Sequence, residues 1–153
     1  MGKTEKQEII FGSILLLSNK LQTLGDQVLP ELTLKQWFLL IVMTKMEEDD
    51  ATVNEIAKYM GSSRQNIKKM LLSLEKKGFV SIKKSNIDAR ALSVSLTPQA
   101  QDVLNEIEQY SLNNIARVFE NITETELDAV VEVIKKMNEN IEKFQSEVQT
   151  NEK

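Results

Sequence analysis

Residues 51–96, ATVNEIAKYMGSSRQNIKKMLLSLEKKGFVSIKKSNIDARALSVSL, hold nine Lys or Arg against three acids, a local charge of +6. The flanks are acidic: residues 1–50 carry −3 and residues 97–153 carry −7, so the 153-residue chain sums to −4. A phosphate responds to charge within a Debye length, roughly 8–10 Å, so the island matters more than the average. Its internal pattern is helix, tight turn, helix and two alternating stretches. Thr52–Glu55 reads as a capping box ahead of a short helix over about 52–60, which Gly61 stops. Ser62–Gln65 repeats the pattern ahead of a helix over about 63–77, with Ile67, Met70, Leu71 and Leu74 inward and Gly78 as its stop. Residues 79–84 and 91–96 alternate as strands. Val80, Ile82, Leu92, Val94 and Leu96 take one face, and Ser93 and Ser95 the other. Asn86-Ile87-Asp88-Ala89 is the turn between them.

That layout predicts a winged helix-turn-helix. The second helix of such a pair fits a DNA major groove and offers its first residues to base edges. With Ile67, Leu71 and Leu74 inward, Gln65, Lys68 and Lys69 face out, with Arg64 and Asn66 on the flanks. These side chains suit base reading: Arg or Lys for guanine, Asn or Gln for adenine. Ser62 and Ser63 set hydroxyls beside the backbone N–H groups of a helix start, a seat for phosphate. Lys83, Lys84 and Arg90 bracket the hairpin turn, where an Arg can enter the narrow minor groove. Asp88 is placed to hold Arg90 by an ion pair.

Outside the island, the remaining pattern is helical. A first helix over about 4–29 spaces Ile10, Ile14, Leu17, Leu21, Leu24 and Val28 by 4-3-4-3-4, and Pro30 ends it. Thr33–Gln36 opens a second around Trp37-Phe38-Leu39-Leu40-Ile41-Val42-Met43, apolar all round and expected to be buried. Glu47-Glu48-Asp49-Asp50 reads as a solvated loop. Thr97-Pro98 and Thr123–Glu126 start two closing helices, about 98–120 and 124–149. The last carries Leu127, Val130, Ile134, Met137, Ile141, Phe144 and Val148 on one seam. Left in water, the seams of the first and last helices exceed the apolar patch a monomer tolerates, so both are expected to pair two copies. The fold class expected is mainly α with a small β-hairpin wing. Residues 30–97 form the winged helix-turn-helix core, and 1–29 and 98–153 the dimerisation helices, with Ile10, Ile14, Leu17, Leu127, Ile134, Met137, Ile141 and Phe144 at the contact.

Composition narrows the chemistry. There is no Cys and no His, which removes disulfides, thiolate or imidazole metal sites and most nucleophile–base pairs. No cofactor or metal is expected. The longest nearly apolar stretch, Ile9–Leu17, is too short for a membrane span of roughly 20 residues. Glu5 and Glu8 precede it, and the expectation is a cytoplasmic, unanchored protein.

At this point the residues resemble a known family. LTLKQWFLLIVM (32–43), the run 51–80, SNIDARALSVSLT (85–97) and TPQAQDVL (97–104) look like the bacterial multiple-antibiotic-resistance regulator (MarR) family. The resemblance spans roughly residues 10–145. Its most specific elements are the EKKGFV step and the DAR of the wing before LTPQ. It implies a homodimer joined through first and last helices, binding palindromic operator DNA and usually repressing until a small ligand releases it. Carried over, the wing arginine is Arg90, its supporting acid is Asp88, and the groove helix begins at Ser62–Ser63. Without Cys or His, the peroxide-sensing and zinc-sensing members are not models. Any effector stays open.

Plainer readings compete. Each lysine of 63–77 taken alone reads more readily as solvated surface charge; the cluster between acidic flanks does not. Ser62 and Ser63 can serve as helix caps only, and Trp37 and Phe38 as core. A winged-helix protein–protein interaction module is the second hypothesis, but it has no need of cations gathered on one helix and a hairpin. An enzyme using Glu124, Glu126 and Asp128 is the third. Those acids sit in a helix first turn, where the dipole accounts for them.

Overall fold

The computed structural model describes residues 1–46, 51–85 and 91–151, without the side chains of 109–112 and 151. The acidic loop Glu47–Asp50 and the wing turn, with Asp88 and Arg90, lie outside the described residues. Two compact units are present, Met1–Tyr110 and Ser111–Lys153.

The order of elements is α1 (Lys3–Val28), α2 (Leu34–Lys45), β1 (Ala51–Thr52), α3 (Val53–Tyr59), α4 (Arg64–Lys76), β2 (Val80–Lys84), β3 (Leu92–Leu96), α5 (Pro98–Val118) and α6 (Glu124–Asn151). Three capping boxes close as expected. The Thr33 hydroxyl accepts from Gln36 N–H, Thr52 from Glu55 N–H, and Thr123 from Glu126 N–H. The fourth does not. Ser63, not Ser62, caps α4, its Oγ accepting from Asn66 N–H at 3.2 Å. Ser62 N–H instead donates to Ala57 O at 3.0 Å, part of the turn at Gly61 (φ 57°). That bond holds Ser62 in the turn and delays the helix by one residue.

The hairpin of β2 and β3 belongs to a three-stranded antiparallel sheet ordered β1-β3-β2. Ala51 pairs with Val94 and Thr52 with Ser93. This third strand was absent from the sequence reading because two residues display no period. It also makes β3 the central strand, which is why Ser93 is buried rather than solvent-facing.

The core gathers Leu39 and Leu40 of α2, Ile56 of α3, Ile67, Leu71 and Leu74 of α4, Phe79, Val94, and Ala100, Leu104 and Ile107 of α5. The first half of α5 thus packs with the winged helix. The all-apolar run of α2 is only partly buried. Trp37 and Ile41 are half-buried against the core, and Phe38 is 49% exposed. The core covers one side of that helix and leaves Phe38 on the other.

Two sites tie α1 and α4 to α2. Gly25 of α1 is buried, and a Cβ there would stand 2.7 Å from Leu34 Cβ, so the close approach requires glycine. Beside it, Leu34 N–H donates to Asp26 Oδ1 at 2.7 Å. Buried Gln36 donates through Nε2 to Ser73 Oγ (3.1 Å) and accepts at Oε1 from Thr33 N–H (3.2 Å) and Lys77 Nζ (3.3 Å). Lys77 Nζ also donates to the carbonyl of Glu31, which sits at φ 61°. One cation of the basic island is therefore spent on joining elements.

Candidate nucleic-acid interface

α4 is amphipathic by construction. Ile67, Leu71 and Leu74 are fully buried, and Arg64, Gln65, Asn66, Lys68 and Lys69 are all exposed. The outward stripe is longer than the sequence reading proposed. Leu72 lies two turns beyond Gln65 and Lys76 three, so both share its face. Gln65, Lys68, Lys69, Leu72, Ser73 and Lys76 line one open depression. Leu72 is 44% exposed amid these cations. Leu72 and Lys76 were missed, although a seven- and an eleven-residue step from Gln65 was the available signal. From Gln65 to Lys76 the stripe runs about 16 Å at a rise of about 1.5 Å per residue.

At the helix start, the Ser63 hydroxyl caps Asn66 N–H and keeps its own proton for an acceptor, beside the first-turn N–H groups. Ser62 is half-buried with its N–H donating to Ala57 O, so Ser63 alone of the two serines caps the helix. In the wing, Lys83 and Lys84 are exposed at the end of β2, paired with Ser93 and Leu92. Strand alternation sends them to opposite faces, Lys83 with Ser81 and Lys84 with Ile82. The expected roles of Asp88 and Arg90 fall outside the described residues.

Among the described residues one ion pair is present, Lys135–Glu132 on α6. No described carboxylate therefore forms an ion pair with Arg64, Lys68, Lys69, Lys76, Lys83 or Lys84. A surface charge not matched by a partner chain of acids keeps its field for an incoming anion. Among the described residues there is also no group of three or more His, Cys, Asp or Glu able to hold a metal. No described helix is long and apolar enough to cross a membrane.

On the seam positions, Ile10, Ile14, Leu17, Ile134, Ile141 and Phe144 are exposed, while Leu127 and Met137 are half-buried.

Comparisons with known proteins bear on the family and the fold. The sequence profile of the family described as transcriptional regulator SarA/Rot matches residues 26–107. Among solved structures, the transcriptional regulator BldR from Sulfolobus solfataricus superposes with a TM-score of 0.81 at 17% identity, covering 92% of this chain and 99% of that one. A variant of MarR from E. coli, complexed with operator DNA, gives 0.77 at 19% identity, covering 90% and 99%. BpsR from Bordetella bronchiseptica, solved in a study of how 6-hydroxynicotinic acid regulates its DNA binding, gives 0.72 at 18% identity, covering 84% and 98%. At these identities the likeness is one of fold: a MarR-type winged helix.

Proposed function

The chain belongs to the SarA/Rot family of transcriptional regulators, and from that premise we propose that it reads double-stranded operator DNA as a homodimer. The observation that carries the reading is the exposed stripe on α4, whose cations form no ion pair among the described residues, together with the exposed cations of β2. α4 enters the major groove, with Gln65, Lys68 and Lys69 toward base edges and Arg64 and Asn66 at the margins. Ser63 and the first-turn N–H groups take a phosphate. Lys83 and Lys84 take backbone phosphates flanking the groove, and Arg90, supported by Asp88, takes the minor groove.

The contact between copies is assigned to residues 1–29 and 98–153, and the reading unit to 30–97, with the buried Ala100, Leu104 and Ile107 of α5 packing on the reading unit and taking no part in that contact. Exposed apolar side chains on α1 and α6 support that division. A two-fold pair sets two α4 helices roughly 34 Å apart, one turn of DNA, and so calls for a palindrome. The protein acts in the cytoplasm, where its DNA is. Control of DNA binding by a small molecule is favoured by analogy with BpsR, and its form as release of a repressor follows from the resemblance to the MarR family.

Selection of bound duplexes from a random pool, repeated with phenolic and cationic small molecules, tests the reading. Binding to the selected duplex should fall with salt at a log–log slope of about −5 or steeper, if six or more phosphates are neutralised per dimer. A flat response would return the interaction-module hypothesis to the lead.

A further inference from the structure

The hairpin packs on the core through Val80, Ile82 and Val94, and its outer strand keeps one open edge. Among the described residues β2 is an edge strand, paired only with β3. Phe79 O accepts from Thr97 N–H (3.1 Å) and Ser85 N–H donates to Ala91 O (3.0 Å). With the register Val80↔Leu96 to Lys84↔Leu92, this parity turns the N–H groups of Ser81 and Lys83 toward β3. The N–H of Ile82 therefore points off the open edge. There it meets α4: Ile82 N–H donates to Glu75 Oε1 at 3.0 Å.

Glu75 is an unexpected residue for this place. It is the only acid between Glu55 and Asp88, and Lys76, Lys77, Lys83 and Lys84 follow it closely. It stands in the last turn of α4, where the helix dipole disfavours a carboxylate. It forms no ion pair among the described residues. On a face meant for a polyanion, its charge works against binding. Its hydrogen bond supplies the reason for keeping it: a carboxylate is the acceptor that reaches from the reading helix to the open strand edge and closes it.

We propose that Glu75 is the positioning residue of the wing, a carboxylate that pins β2 to α4 and so sets Lys83 and Lys84 at a fixed offset from the stripe that reads the groove. This rests on the DNA-binding reading above. Glu75 acts through Ile82 and the strand, not by touching DNA.

The charge and the hydrogen bond make opposite predictions. If charge alone mattered, Glu75→Ala would tighten binding. Positioning requires that Glu75→Ala weaken binding to the selected duplex, roughly five- to tenfold, the worth of one net hydrogen bond. It should also flatten the salt slope by about one, as a wing phosphate is lost. Glu75→Gln keeps an amide oxygen for Ile82 N–H and should restore wild-type affinity or better it. Amide exchange supplies a readout without DNA: Ile82 N–H should be protected in the free wild type and in Glu75→Gln, and exposed in Glu75→Ala. Tighter or equal binding by Glu75→Ala, failure of Glu75→Gln to rescue, or an unprotected Ile82 in the wild type would each overturn the assignment. Wild-type protein that holds no duplex would overturn the parent reading instead, whatever Ile82 shows.

Discussion

The roles proposed for Gln65 and Arg90 differ, and substitution separates them. Gln65 is exposed at the start of the outward stripe, with a donor and an acceptor that match an adenine edge. Gln65→Ala should relax preference at one base-pair position while leaving affinity for random duplex nearly unchanged; an equal loss on all sequences would count against base reading. Arg90→Ala should weaken binding by about 1–3 kcal/mol. Unchanged affinity in a titration at constant salt would remove Arg90 from the interface. Lys77 is the instructive contrast among the cations. Its ammonium donates to Glu31 O and Gln36 Oε1, so within the +6 island it serves the junction of α2 and α4. Charge counting over residues 51–96 had no means to tell Lys77 from Lys76, because the difference lies in what the fold brings opposite each. Ser62 and Ser63 were ambiguous for a related reason. Each has an amide side chain three residues on, and only the bond from Ser62 N–H to Ala57 O decides which serine becomes the cap.

Helices with strong starts and stops were legible as elements, because caps and apolar spacing are local signals. Thr52 and Thr123 illustrate the starts and give a test by pH. Glu55 and Glu126 each hold their carboxyl below its ordinary value of 4.5, first through the hydrogen bond from the threonine hydroxyl and then through the threonine N–H. A depressed folded value means stability that is present above the unfolded carboxylate's pKa and lost as pH falls through the folded one. The thermal midpoint followed by circular dichroism should therefore decline below about pH 4.5, and more shallowly in a Glu55→Gln, Glu126→Gln double variant. Identical curves would exclude the caps as a source of acid sensitivity. What was not legible had no local signal. β1 is two residues long, and Phe38 sits in a run with no polar face to mark which side the core leaves bare. The outer stripe of α4 was half legible. Its charged part was read from the wheel, while Leu72 was passed over because an apolar residue on a helix is normally assigned inward.

At the scale of the whole molecule, the question is what covers the apolar side chains that one chain leaves in water. On α1 they are not confined to the seam: Ile9, Phe11, Leu15 and Leu16 are exposed along with Ile10, Ile14 and Leu17, so the band spans most of the helix circumference. On α6, Val130, Val131 and Val133 are exposed beside Ile134, Ile141, Phe144 and Val148. Single exposed apolar residues are ordinary, but a continuous band marks a surface that another chain buries. A second copy is the occupant that fits the proposed function, since an isologous contact would present two α4 helices at the spacing of a palindrome. Ile134 and Ile141 are the sharpest probes, being 49% and 50% exposed in one chain, where aspartate costs the monomer little. Replacing both by Asp should give folded monomers in sedimentation velocity. These should still occupy one half-site, with a salt slope about half that of the dimer and no preference for the palindrome over an isolated half. Dimers that persist at micromolar concentration would place the contact on other residues.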